Sequence, residues 1–238
     1  LFYLKHVLEL EELSDAKREP DLMDFGSLIH AAAQTLSNLS PQTLGTELAL
    51  RNQLETAAEN WMKRRFGSSL DASLRAILAS ARNRLRSLAH WQWQMWQEGW
   101  RIVATERPLS AVLGGLTIRG RADHIAWHPQ TRTVRILDLK TGANTQPCDR
   151  SHLGPQRPET PPFAQAPALQ NRPRRWMDLQ LPLYIKMWQQ ENPLPAERIV
   201  TGYLRLPPQP LESPLDLWTD LDEPLLESAW RCASEVIE

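Results

Sequence analysis

Asp123, in Gly120-Arg121-Ala122-Asp123, and the pair Asp138 and Lys140, in Asp138-Leu139-Lys140-Thr141-Gly142, sit in two neighbouring apolar stretches rich in strand-forming residues. Side chains alternate faces along a strand, so in 134–140 Asp138 and Lys140 share one face and Leu137 and Leu139 take the other. The run 116–127 also reads as a strand, with His128-Pro129-Gln130-Thr131 as a hairpin-like turn. Antiparallel pairing then brings Asp123 near Asp138. Adjacent carboxylates repel unless a cation lies between them, and a divalent metal with oxygen ligands is the usual resolution. The chemistry open to such a set is phosphodiester hydrolysis: the metal polarises a phosphoryl oxygen, while a lysine orients the attacking water and offsets developing charge. Taken alone, Asp138-Leu139-Lys140 equally describes an exposed ion pair at a strand end.

Two helical segments flank this unit. Gly26-Ser27-Leu28-Ile29-His30 opens one, and Gln180-Leu181-Pro182-Leu183-Tyr184 opens the other. Gln180 and Tyr184 stand one turn apart on a single face, where they can hold a catalytic side chain or a DNA phosphate, or simply pack. An imidazole such as His30 is an acceptable metal ligand.

The four signals in this order resemble the RecB-family branch of the PD-(D/E)XK nucleases, with its Gly-x-x-x-His helix, Gly-Arg-x-Asp strand, Asp-x-Lys-Thr-Gly strand and Gln-x-x-x-Tyr helix. The resemblance extends from the N-terminus to about Tyr203. It implies an α/β fold: a restriction-endonuclease-like core with a central mixed sheet flanked by helices, and an extended helical N-terminal half. It also implies that His30, Asp123, Asp138 and the backbone carbonyl of Leu139 bind Mg2+ or Mn2+, that Lys140 activates water, and that Gln180 and Tyr184 support catalysis. Glu106 stands where such nucleases often carry a glutamate ahead of the motif strand. One departure is His124-Ile125-Ala126, where the family often reads Arg-Ile-Asp; the later position is not a metal ligand there, so the loss is compatible with catalysis.

Residues 1–10 look like the lead-in to nuclease domains of AddB-type helicase-nuclease subunits. In that group, cysteines on either side of the core hold a four-iron, four-sulfur cluster. Cys148 and Cys232 have neither the number nor the spacing for such a cluster or for a zinc site, so a cluster is expected only in a longer parent protein from which this chain looks excised. The function implied is a metal-dependent DNA exonuclease of recombination and repair, working beside a helicase domain or subunit. Alternatives are a catalytically silent DNA-binding or scaffolding subunit and a defence-associated single-strand nuclease. No phosphate-loop motif is present, so any ATP-driven motor lies outside this sequence.

Composition agrees with one catalytic domain. The 238 residues are 42% hydrophobic and 23% charged, with no long apolar run, so no membrane span is expected. Two widely separated cysteines make no disulfide framework and favour the reducing cytoplasm. A formal net charge of −1 gives no global pull on nucleic acid, so DNA contacts must come from local basic groups. Candidates are Lys63, Arg64, Arg65, Arg75, Arg82, Arg84 and Arg86, and Arg172, Arg174 and Arg175 ahead of the Gln180 helix, with a solvated, acid-balanced helix face as the bland reading of the first group.

The expected organisation is a single domain over 1–238. Its parts are a helical region 1–100 carrying His30, a catalytic core 101–206 and a C-terminal extension 207–238. Residues 1–20 form an amphipathic entry, Asp24 caps the His30 helix, and further helices cover about 46–66, 71–99, 176–191 and 223 onward. Trp93, Trp96 and Trp100 recur at helical spacing and are expected in the core. Strands are expected at 101–105, 110–113 and 198–206. The proline-rich stretch 143–175 is expected to be a long mobile loop.

Overall fold

The computed structural model describes residues 21–144, 146–169, 171–191, 194–209 and 213–237. The lead-in at 1–10 and the amphipathic entry at 1–20 lie outside the described residues. Helix α1 (Leu22–Gln34) begins with a capping box in which Asp21 accepts the Asp24 N–H and Asp24 returns the bond to the Asp21 N–H. Asp21, not Asp24, is therefore the cap; Asp24 fills the third helical position, where a carboxylate can reach back. A 3-10 turn follows α1, and Ser40 caps the short α2 (Pro41–Leu44) with Pro41 in its first turn. Helices α3 (Glu47–Phe66) and α4 (Ala72–Gln97) are capped by Thr46 and Asp71, close to their expected limits.

The main sheet has the order β1 (Arg101–Leu113), β2 (Leu116–His128), β3 (Thr133–Lys140), β7 (Arg198–Arg205) and β8 (Leu215–Leu217). Its pairs are antiparallel except β3 with β7, which are parallel. The two strands expected at 101–105 and 110–113 are one continuous β1. A bulge at Val103 and a positive φ of 50° at Glu106 interrupt its sequence pattern without ending its pairing with β2.

Hydrophobic clusters cover both faces of this sheet. On one, Leu28, Ile29 and Ala32 of α1 and the inner stripes of α3 and α4 meet Ala126, Leu137, Leu139 and Leu204. Of the tryptophans expected in the core, Trp100 is buried there and Trp93 and Trp96 are partly buried against it; Trp91, not singled out by the sequence, is buried as well. On the other face α6 (Gln180–Glu191) and α7 (Glu223–Ile237) cover Ile125, Val134 and Ile136. A mixed central sheet between helical layers is thus the architecture, as the motif order implied.

The stretch 143–175 differs from expectation. It holds a short helix α5 (Cys148–His152) and a second sheet of order β4 (Leu153–Pro155), β6 (Arg172–Trp176) and β5 (Gln165–Leu169). Cys148, Leu153 and Trp176 enter the core on the α6 side, and His152 is fully buried. Of its prolines, Pro155 and Pro173 sit near strand ends and Pro167 beside irregular pairing, while Pro147, Pro161 and Pro162 cap or open helical turns, so a proline-rich composition did not preclude a sheet.

Candidate active site

Asp123 and Asp138 face each other across the end of the β2–β3 ladder, whose last regular pair is His124 with Leu137. Beyond that pair the strands are tied by a side chain: the Leu139 N–H donates to Asp123 Oδ2 at 2.6 Å. A strand residue's N–H and C=O leave the same edge, so the Leu139 carbonyl also faces the Asp123 side. On the opposite flank Glu106 falls between the pairs Thr105–His124 and Arg107–Ala122, directly across from Asp123. Its left-handed backbone costs about 1–3 kcal/mol for a residue with a side chain.

Helix α1 brings His30 onto this carboxylate row, anchored at its C-terminal end by Thr105 Oγ1 donating to the Gln34 carbonyl. His30 Nδ1 lies 2.9 Å from Glu106 Oε1 and 3.5 Å from Asp123 Oδ1. Burial works against a charge on the ring, but hydrogen bonds to Asp123 and Glu106 overcome it and raise the His30 pKa to about 10. The imidazolium thus fills the place of a cation between two carboxylates. Ligand atoms of His30, Glu106 and Asp123 all lie within 4.8 Å of one another.

Asp138 lies beside that close triplet, outside the 4.8 Å grouping. Its Oδ1 accepts from Gln180 Nε2 at 2.8 Å, and its Oδ2 lies 2.7 Å from Lys140 Nζ. The lysine contact is an ion pair off the hydrogen-bond direction, because the buried Oδ2 has no hydrogen-bond partner. Burial raises the Asp138 pKa against the pull of Lys140, and the charge of Asp123 adds to the rise. A buried carboxylate held above its ordinary range is stabilised in its charged form by a further positive charge beside it.

Gln180 opens α6, where the Asp178 carboxylate accepts the Gln180 N–H at 2.8 Å and Pro182 sits in the first turn, which needs no backbone donor. Both Nε2 hydrogens of Gln180 are engaged, one on Asp138 and one on the Tyr184 hydroxyl at 2.9 Å. Tyr184 in turn donates to the Arg121 carbonyl at 2.6 Å, and burial pushes its pKa up to about 12. One Gln180 donor is thus committed to the Asp138 carboxylate, while Tyr184 holds Gln180 and donates to backbone.

Glu106 is the residue that sequence spacing placed weakly and tertiary structure brought to the centre; Arg121 pairs with its second oxygen at 2.9 Å. His124, the departure from the family pattern, points to the other face, where its Nε2 meets Gln92 Oε1 at 2.9 Å and burial lowers its pKa to about 4. Many of the candidate phosphate-binding groups have other partners. Lys63, Arg82 and Arg86 pair with Glu55 or Glu59, Arg65 with Asp24, and Arg84 donates to the Thr141 carbonyl beside the Phe25 ring. Arg175 donates to the Pro155 carbonyl.

The three-layer α/β/α arrangement around a five-strand mixed sheet is a restriction-endonuclease-like fold, and the carboxylates, the imidazole and the lysine gather at the end of its central strands. The family model described as the PD-(D/E)XK nuclease superfamily matches residues 1–234, and the chain belongs to that superfamily. It is a nuclease domain by that membership, and DNA binding goes with it. No curated protein matches the chain. Cys148 and Cys232 are both free and buried, with no cluster-like arrangement. Among the described residues no helix is long and apolar enough to cross a membrane.

Proposed function

We propose that the protein is a Mg2+- or Mn2+-dependent deoxyribonuclease, an exonuclease of the RecB/AddB type that acts beside a helicase in cytoplasmic DNA recombination and repair. The observation that carries the reading is the gathering of His30, Glu106 and Asp123 within ligand distance of one another, next to the Asp138–Lys140 pair. His30, Asp123, Glu106 and Asp138 would hold the ion, with the Leu139 carbonyl available on the same edge. When bound, a divalent ion supplies Lewis-acid polarisation of a phosphoryl oxygen and charge stabilisation at the leaving oxygen.

The chain's own side chains do the rest. Lys140 holds the attacking water with an N–H and offsets charge growing on the phosphoryl group. Gln180 fixes the Asp138 carboxylate, and Tyr184 fixes Gln180. Arg121, whose side chain is largely exposed, is free to exchange its contact with Glu106 for a phosphate. The RecB/AddB assignment rests on the order of the four motifs, and the cytoplasmic one on two unpaired cysteines.

The test is degradation of end-labelled single- and double-stranded DNA with Mg2+, Mn2+ or EDTA, using Asp138→Ala as control. Metal-dependent release of label from ends, lost in the variant, is expected. Cleavage of closed circular DNA would replace the exonuclease reading by an endonuclease, and absence of cleavage with either metal would remove the enzymatic reading.

A further inference from the structure

His152 lies in the stretch between the lysine strand and the glutamine helix, outside the motifs, yet it is 0% exposed and hydrogen-bonded at both ring nitrogens. Its Nδ1 is 2.9 Å from the Asp178 backbone carbonyl, which can only accept. Nδ1 therefore carries the proton, and in the neutral ring Nε2 is an acceptor. Burial lowers the His152 pKa, in keeping with that neutral form. The Tyr203 hydroxyl, 2.9 Å from Nε2, must then be the donor.

Tyr203 is buried on β7 and pairs directly with Asp138 across the parallel β3–β7 register. The Lys140 ammonium stands 4.9 Å from its ring centroid, within cation–π reach. Arg205 also stands 4.9 Å from the ring centroid, but Asp216 and the carbonyls of Asn144 and Gln146 already hold it. Among the described residues, Lys140 has only Asp138 besides the ring. The contacts form a closed circuit: Lys140 to Asp138, Asp138 to Gln180, Gln180 N–H to the Asp178 carboxylate, Asp178 carbonyl to His152, His152 to Tyr203, and the Tyr203 ring back to Lys140.

We propose that Tyr203 and His152 are positioning residues for Lys140: the ring, pinned through its hydroxyl by His152, holds the ammonium in place when Asp138 turns its charge to another cation. A π face suits this task. It attracts the positive charge without accepting one of the three N–H bonds in the way a second carboxylate would, so those donors stay available for water or a phosphoryl oxygen. The inference rests on the role given to Lys140 above. It also gives the second sheet and α5 a function, because they carry the histidine that fixes the ring.

The experiment compares the whole chain with Tyr203→Leu, Tyr203→Phe and His152→Asn, each first checked for cooperative thermal unfolding. Steady-state cleavage is measured together with metal affinity by calorimetry and the proton resonance of the Lys140 side-chain methylene next to Nζ. Tyr203→Leu is expected to lower kcat about tenfold, with KM for DNA and metal affinity unchanged. Tyr203→Phe recovers most of that loss because it keeps the ring. The methylene resonance lies upfield, by ring current, in the wild type and Tyr203→Phe, and moves downfield in Tyr203→Leu.

His152→Asn keeps a donor for the Asp178 carbonyl but leaves the ring unpinned, and it is expected to fall between the two in both readouts. Unchanged kcat and resonance in Tyr203→Leu overturn the proposal, as does an equal loss in Tyr203→Leu and Tyr203→Phe. Should Tyr203→Leu fail to fold, an unaltered kcat and resonance in His152→Asn overturn it instead. A wild type that cleaves nothing sinks the nuclease reading, while the resonance still decides whether the ring holds Lys140.

Discussion

Gly120 lies against the ring of Tyr184 so closely that a Cβ built on it stands 2.9 Å from Tyr184 Cε1. The ring cannot retreat easily, since its hydroxyl accepts from Gln180 and donates to the Arg121 carbonyl. The glycine before the motif strand's arginine is therefore required by the tyrosine of a helix sixty-odd residues later. Gly120→Ala is expected to lower stability by about 1–3 kcal/mol through overpacking. Chemical denaturation reads that loss, and a reduced cleavage rate at temperatures where the variant is folded reads the displaced Gln180.

Lys140 and Asp123 separate the two halves of the proposed chemistry. Lys140→Ala is expected to lower kcat at least about a hundredfold while calorimetric metal affinity persists, because the lysine acts on water and phosphoryl charge. Asp123→Ala is expected to lose both, since its carboxylate stands between His30 and the Leu139 backbone. Equal metal affinity in the two variants would contradict the assignment.

Stability and metal binding should change with pH in opposite senses. The folded-state pKa of His30 is raised from 6.5 to about 10, so the ring binds a proton more tightly folded than unfolded. Its contribution is then fully present below pH 6.5 and is lost as pH rises through about 10. In EDTA the melting temperature is expected to decline over that window, and His30→Gln to flatten the decline. Metal must displace the same proton, so affinity should rise with pH and calorimetry in buffers of different ionisation enthalpy should detect proton release. Glu106→Gln removes one carboxylate from the ring and should weaken both trends.

Deleting 150–170 tests whether the second sheet is an appendage. It removes Leu153, His152 and strand β5, all packed on the α6 and α7 side. Losing a buried leucine alone costs about 2–5 kcal/mol. The deletion is expected to lower stability by more than about 3 kcal/mol or to abolish cooperative unfolding, whereas an unchanged melting temperature would show that the sheet contributes nothing to the core.

What the sequence determined by itself was local and periodic. The two-residue repeat of a strand put Asp138 and Lys140 on one face and Leu137 and Leu139 on the other, and the helical repeat put Gln180 and Tyr184 on a common side, because both periods follow from backbone geometry. The same logic located α3, α4 and α6 and placed Trp93, Trp96 and Trp100 against the core. Tertiary structure alone decided that Glu106 stands beside His30, since that depends on strand pairing across from Asp123 and on one left-handed residue. It also decided that Asp138 turns to Gln180 and Lys140, that His152 is buried beneath Tyr203, and that the basic residues of α3 and α4 largely neutralise their own acids. Each of these relations joins residues whose approach is set by how layers pack, and no local period encodes a distance between layers.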